Sequence, residues 1–149
     1  MAVADLGSHS GFLMRMVSNC VSQAFARRVG REGVTVAEWT LMRTLYDADG
    51  AAPTSLARHM GLSKAAVSKL ADRLVSKGLV DRRDNPGDKR AQSLSLTAEG
   101  REKIPVLAAI ADANDADFFN VLSTQDRARL RSLLRTLISR HGINRIPVD

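Results

Sequence analysis

From Leu6 to Val29 the apolar residues fall at Phe12/Leu13, Met16/Val17, Cys20/Val21, Ala24/Phe25 and Val29. That spacing lays an apolar stripe along one side of a helix for several turns, with no proline to interrupt it. Arg27, Arg28 and Arg31 crowd the end, where cations favour the helix dipole, and Gly30 and Gly33 close it. A second helix is expected from Val36 or Ala37 to Ala48, burying Trp39, Met42, Leu45 and Tyr46 and stopped by Asp49-Gly50.

The middle of the chain changes period. Thr54 to Met60 reads as a short helix punctuated by Gly61. Ser63 is a good N-cap for a helix running to Lys77, with Gly78 in the position that favours a left-handed backbone. Leu79 to Arg83 and Ser93 to Leu96 then read as strands, the second alternating polar and apolar, and Asn85-Pro86-Gly87-Asp88 supplies turn residues between them. Thr97 opens a helical stretch to about Leu122 in which Pro105 predicts a kink or a broken first turn. Ser123 to Asp126 fits a capping box, and the last helix strings Leu130, Leu133/Leu134, Leu137/Ile138 and His141 along one stripe.

Two helices joined by a glycine-containing turn make a helix-turn-helix. Ala57 is small where the helices cross, and Leu56, Met60, Leu62, Val67, Leu70 and Leu74 supply a compact core. With Val67, Leu70 and Leu74 turned inward, 100° per residue sends Ala65, Ser68, Lys69 and Asp72 outward, with Arg73 at the flank. Ser68 can serve a base or a phosphate, Ala65 a thymine methyl, and Lys69 a guanine or a phosphate. The amides behind Ser63 and the ammonium of Lys64 suit a phosphate.

Charge sharpens this picture. The 149 residues carry a net charge of +6, and a basic balance of that kind points to a polyanion. From Ser63 to Arg90 eight basic residues face four acidic ones, so this stretch holds +4 of that total. The excess coincides with the helix-turn-helix and the hairpin tip.

Asp88-Lys89-Arg90 followed by Ser93-Leu94-Ser95-Leu96-Thr97-Ala98-Glu99-Gly100 matches a D-x-R, then L-x-L-T-x-x-G pattern. With Asp72-Arg73-Leu74, Lys77-Gly78-Leu79-Val80 and Arg82, residues 36–100 resemble the MarR family of winged helix-turn-helix regulators, and the flanking helices extend the resemblance over nearly the whole chain. The resemblance implies a mainly α fold with a small β-hairpin wing. It implies a single domain whose winged helix-turn-helix lobe (36–100) is flanked by N- and C-terminal dimerisation helices (6–34 and 101–146).

It further implies that Arg90 enters the minor groove with Asp88 orienting it, in keeping with the negative potential of narrow A·T-rich grooves. DNA contacts are expected at Ser63, Lys64, Ala65, Ser68, Lys69, Arg73, Arg82, Asp88, Lys89 and Arg90. The implied protein is an obligate homodimer, most simply a repressor, on a pseudo-palindromic operator of double-stranded DNA. The apolar stripes of residues 12–29 and 107–138 exceed what the central core could cover, which independently favours a partner chain.

A small, often aromatic effector entering a cleft between the dimer helices and the DNA-binding lobe is a further implication of the resemblance. Candidate lining residues are Phe12, Met16, Trp39, Met42, Arg43 and Tyr46, although an aromatic and methionine set at helical spacing also describes plain core. Cys20 raises an alternative, an oxidant-sensing repressor. Its place on the apolar stripe between Val17 and Val21, with no adjacent cation, favours a buried, inert thiol instead. An alternative of another class is a helical protein-interaction module, against which Arg90 and the outward Ser68 and Lys69 argue.

The remaining composition excludes more than it adds. One cysteine allows no intrachain disulfide and fits a reducing compartment. His9, His59 and His141 form no i,i+4 pair, so neither a metal nor another cofactor is expected. No phosphate loop, nucleophile elbow or H-E-x-x-H signals an enzyme. The apolar runs are too short to span a membrane and the N-terminus lacks a leader pattern, so a cytoplasmic protein is expected.

Overall fold

The computed structural model describes residues 1–48, 50–85 and 87–148, with backbone alone at 85 and 88–91. After a short 3-10 turn at Leu6–Ser8 come α1 (Ser10–Gly30), α2 (Val36–Tyr46), α3 (Pro53–Met60) and α4 (Lys64–Ser76). An antiparallel hairpin of β1 (Val80–Asn85) and β2 (Asp88–Leu96) follows, then α5 (Ala98–Phe119) and α6 (Thr124–Arg140). The fold is mainly α with one two-stranded wing, as the sequence predicts.

Local chemistry sets the boundaries. Thr35, Ser63, Thr97 and Ser123 each accept a backbone N–H three residues on, capping α2, α4, α5 and α6. Pro53 starts α3 at a position where its missing N–H costs nothing. The hairpin is longer than the sequence suggests and pairs Val80 with Leu96 and Arg82 with Leu94. At its base Ala51 forms one further bridge with Leu94, exchanging bonds of 2.9 and 2.8 Å.

The core sits around the helix-turn-helix. Leu41, Met42 and Leu45 of α2 meet Leu56, Ala57 and Met60 of α3, and Val67, Leu70, Ala71 and Leu74 of α4. Leu79, Val80 and Leu94 close it from the wing, and Ile104 and Leu107 from α5. Outside this body the long helices are bare: every residue from Ser10 to Cys20 is exposed, as are Leu133, Leu134, Leu137 and Ile138 of α6.

Four expectations need correction. Tyr46 is exposed rather than buried, because it ends α2 with Arg43 and Arg101 stacked near its ring at 5.6 and 5.3 Å. Trp39 is only partly buried, at the edge of the core. Cys20 is exposed, since the half of the stripe from Ser10 to Cys20 lies open and only its later part, at Phe25 and Val29, packs on the core. Pro105 does not break α5, which runs through it while Ile104 and Leu107 on either side are held in the core. The expected stop at Asp49 and the turn at Pro86 lie outside the described residues.

Candidate nucleic-acid interface

The interface is built around α4. Gly61 ends α3 in the left-handed region (φ +66°), and Leu62 N–H returns to the Ala57 carbonyl at 2.9 Å. A left-handed backbone there turns the chain in two residues, which glycine adopts at no steric cost. Ser63 then caps α4 by accepting the Ala66 N–H at 3.1 Å. Inward, Val67, Leu70, Ala71 and Leu74 are buried; outward, Lys64, Ala65, Ser68, Lys69, Asp72 and Arg73 are all exposed. The sequence-predicted face of α4 is therefore one continuous solvent-facing strip, with the unpaired amides of a helix start at one end.

The C-terminal end of α4 is fastened more heavily than the N-terminal end. Lys77 Nζ donates to both carboxylate oxygens of Glu38, at 2.7 and 3.0 Å, and to the Gly33 carbonyl at 2.8 Å. Glu38 is 1% exposed. Burying a carboxylate this deeply requires a paired cation, and Lys77 provides it from 39 positions away. The pair ties α4 to the start of α2 and to the loop that follows α1.

A second junction joins α4, wing and α5. Thr97 Oγ1 donates to the Gly78 carbonyl at 2.7 Å and accepts the Gly100 N–H at 3.0 Å, while Thr97 N–H donates to the Leu79 carbonyl at 3.1 Å. Gly100 lies against the Leu79 backbone so closely that a Cβ would collide with its carbonyl. The L-T-x-x-G pattern is thus a packing requirement at the root of the wing.

Arg82, expected as a DNA contact, donates Nη1 to Asp72 Oδ1 at 2.7 Å and is partly buried. It links β1 to the exposed face of α4, fixing the wing's angle against the helix. The side chains of Asp88, Lys89 and Arg90 lie outside the described residues; their backbone belongs to β2. Of the positioning residues, sequence reasoning passed over Glu38 and named Lys77 and Thr97 only as motif positions, without this role. Only a Thr-x-x-Glu cap pattern at Thr35 and Glu38 hinted at the first, and that pattern predicts an exposed carboxylate.

The candidate effector residues do not share one cavity among the described residues. Trp39 borders a hollow of about 270 Å³ between α1, α2 and α5, with Val21, Phe25 and Asn114. Phe12 and Met16 lie exposed on α1 outside that hollow, and Met42 is fully buried in the core. Arg43 pairs with Asp47 at 2.8 Å beside Tyr46. Among the described residues no group of three His, Cys, Asp or Glu is placed to hold a metal, and no helix is long and apolar enough to cross a membrane.

Comparison with known proteins agrees with this geometry. The MarR family model matches residues 32–91, which span α2 to the wing. The uncharacterized HTH-type transcriptional regulator YdgJ of Bacillus subtilis (strain 168) is 30% identical over 114 residues, covering 76% of this chain and 68% of that protein. A probable transcriptional regulator from Pseudomonas aeruginosa superposes with a TM-score of 0.80 at 28% identity, over 90% of this chain and all of that one. A cysteine-to-serine mutant of MarR from E. coli, solved with operator DNA, gives a TM-score of 0.76 at 25% identity, over 86% of this chain and 92% of that one. A buried helix-turn-helix core, an exposed strip on its second helix and a two-stranded wing on one root accord with those relatives, and the chain belongs to the MarR family of DNA-binding transcriptional regulators.

Proposed function

We propose that this regulator works as a homodimeric repressor on a pseudo-palindromic operator. In this reading residues 36–100 form the reading lobe, and 6–34 with α5 and α6 form the dimerisation helices; the expected bound at 146 is drawn back to Arg140, because α6 ends there and Ile146 packs on the lobe. The observation that carries it is the apolar surface left open on those helices: Met16 is 57% exposed, Leu133 57% and Ile138 48%. Apolar area of that extent gains about 25 cal/mol per Å² on burial, and two-fold pairing supplies an identical stripe as its cover. Two copies place two α4 strips on one face, Ser68, Lys69 and Ala65 of each at a major groove and Arg90 of each wing at the flanking minor groove. Support for operator recognition comes from the E. coli relative solved on operator DNA.

A small effector then acts by favouring a lobe spacing that does not match DNA, which requires differential affinity for the two spacings. The hollow beside Trp39, between both kinds of helix, is its most suitable seat.

The test is fluorescence anisotropy with duplex from upstream of the protein's own gene and a scrambled duplex, across a salt series, with light scattering for mass. A dimer that prefers the upstream duplex and shows a steep salt slope supports the reading. Equal binding to both duplexes removes autoregulation, and a monomer at micromolar concentration removes the dimer.

A further inference from the structure

Beyond α6 the chain does not trail away. Gly142 adopts φ +60° and Ile143 N–H returns to the Ile138 carbonyl at 3.0 Å, so the helix ends in a reversal. The following segment reaches back to the helix-turn-helix. Ile146 N–H donates to the Met60 carbonyl at 3.3 Å, and the side chains of Ile146 and Val148 pack, partly buried, on the core of the lobe. Pro147 between them has no N–H to leave unpaired.

This contact falls at one place on the lobe. Met60 is the last residue of α3, and Gly61 next to it lies under Arg145: a Cβ on Gly61 would sit 3.0 Å from Arg145 Cα and Cγ. Gly61 is therefore required twice, for its left-handed turn and for the approach of the returning segment. Its Cα is at most about 7.6 Å from that of Ser63, the N-cap of α4. Arg145 is exposed, and among the described residues no carboxylate pairs with it. Its backbone lies against Gly61 on the shoulder of the turn that delivers Ser63 and Lys64, and its side chain is exposed there.

We propose that the segment after α6 is a working part of the DNA interface, pinned to the lobe by Ile146 and Val148 so that Arg145 contacts a backbone phosphate beside the start of α4. The proposal rests on the operator-binding reading above. A pinned arginine loses less freedom on binding than one on a free tail, and a phosphate beside the α4 amides gains from both. Such a contact adds affinity without sequence preference.

The experiment compares the full chain with Arg145→Gln, Ile146→Ser and the double variant, on upstream and scrambled duplexes across a salt series. One phosphate contact contributes about 0.9 to the salt slope, hence roughly eight-fold in affinity at about 0.1 M salt. The dimer carries two such contacts, so Arg145→Gln is expected to lower the slope by about 1.8 and the affinity roughly sixty-fold at about 0.1 M salt, equally on both duplexes and with an unchanged melting temperature. Ile146→Ser releases the segment and should show the same loss, and the double variant no more than either, because both remove one contact.

Lys64→Ala serves as the reference for a phosphate cation on the lobe itself. If Lys64→Ala lowers the slope and Arg145→Gln does not, the segment has no part in binding and this proposal falls alone. If the unaltered protein binds neither duplex, the operator reading falls and this one with it. Additive losses in the double variant would overturn the pinning.

Discussion

Replacing Lys77 by methionine isolates the most exacting interaction in the lobe. The ammonium is 2.7 Å from a Glu38 oxygen, and at an effective dielectric near 20 this distance corresponds to about 6 kcal/mol of gross attraction. Most of that offsets the desolvation of Glu38, so the pair gains little over an apolar pair of equal size. Removing one partner is different, because a buried carboxylate then remains with neither oxygen satisfied, at about 3–5 kcal/mol. Lys77 is 38% exposed, so water reaches the vacated position and the expectation falls to about 2–4 kcal/mol. With a urea m-value near 2 kcal/mol/M, Lys77→Met lowers the unfolding midpoint by about 1–2 M at fixed protein concentration. Glu38→Met combined with Lys77→Met is expected to recover most of it. A single variant within about 0.5 kcal/mol of the parent, or a double variant no better than Lys77→Met, would refute the argument that the carboxylate depends on this one cation.

Other expectations follow from the same geometry. Gly100→Ala drives a methyl into the Leu79 carbonyl, which is backbone and cannot turn aside, so its melting temperature drops by more than the ~1–3 kcal/mol of ordinary overpacking implies; an unchanged melting curve would remove the close approach of α5 to β1. Arg90→Ala should weaken binding of the upstream duplex by roughly 1–3 kcal/mol, and parental affinity in anisotropy would take the wing out of recognition. Lys64→Ala should reduce the salt slope by about one unit per protomer with no change in base preference; a shifted preference in a selection experiment would make Lys64 a base reader. If the proposed dimer covers α1, Cys20 should react slowly with iodoacetamide in the native protein and rapidly in urea, whereas rapid native labelling that abolishes DNA binding would establish the oxidant-sensing alternative.

What the sequence made legible was whatever short-range rules decide. Gly61, Ser63 and Gly78 stand where backbone sterics and capping require them, so the two reading helices came out within a residue or two of their observed ends. The outward set on α4 followed from helix period alone, because Val67, Leu70 and Leu74 leave only one way to orient it. Glu38 was illegible for the opposite reason: its burial depends on Lys77, which is near it only after folding. Tyr46 followed the apolar rhythm of α2 but fell at the helix end, where two guanidinium groups rather than the core receive its ring. Cys20 was assigned to an interior on the strength of its stripe, but within one chain only the later turns of that stripe, at Phe25 and Val29, find a core to lie against. The return of Ile146 to Met60 had no signal, since a few scattered apolar residues after a helix end (Ile143, Ile146, Val148) carry no period and read the same whether they dock or not.

The wing's described anchors are at its root. Its root is held by the Ala51–Leu94 bridge, by buried Val80 and Leu94, and by the bonds that converge on Thr97. From Leu94 to the start of β2 at Asp88 the strand extends about 20 Å at ~3.3 Å per residue. Such a strand is a lever with its fulcrum at the junction of α4 and α5. A tilt of about 3° at the root carries the far end through about 1 Å, enough to spoil a hydrogen bond whose working range is only about 0.5 Å wide. Small displacements where Gly100 meets Leu79 therefore reach the far end of the wing amplified, and this close packing sits at the point where slackness would be magnified most.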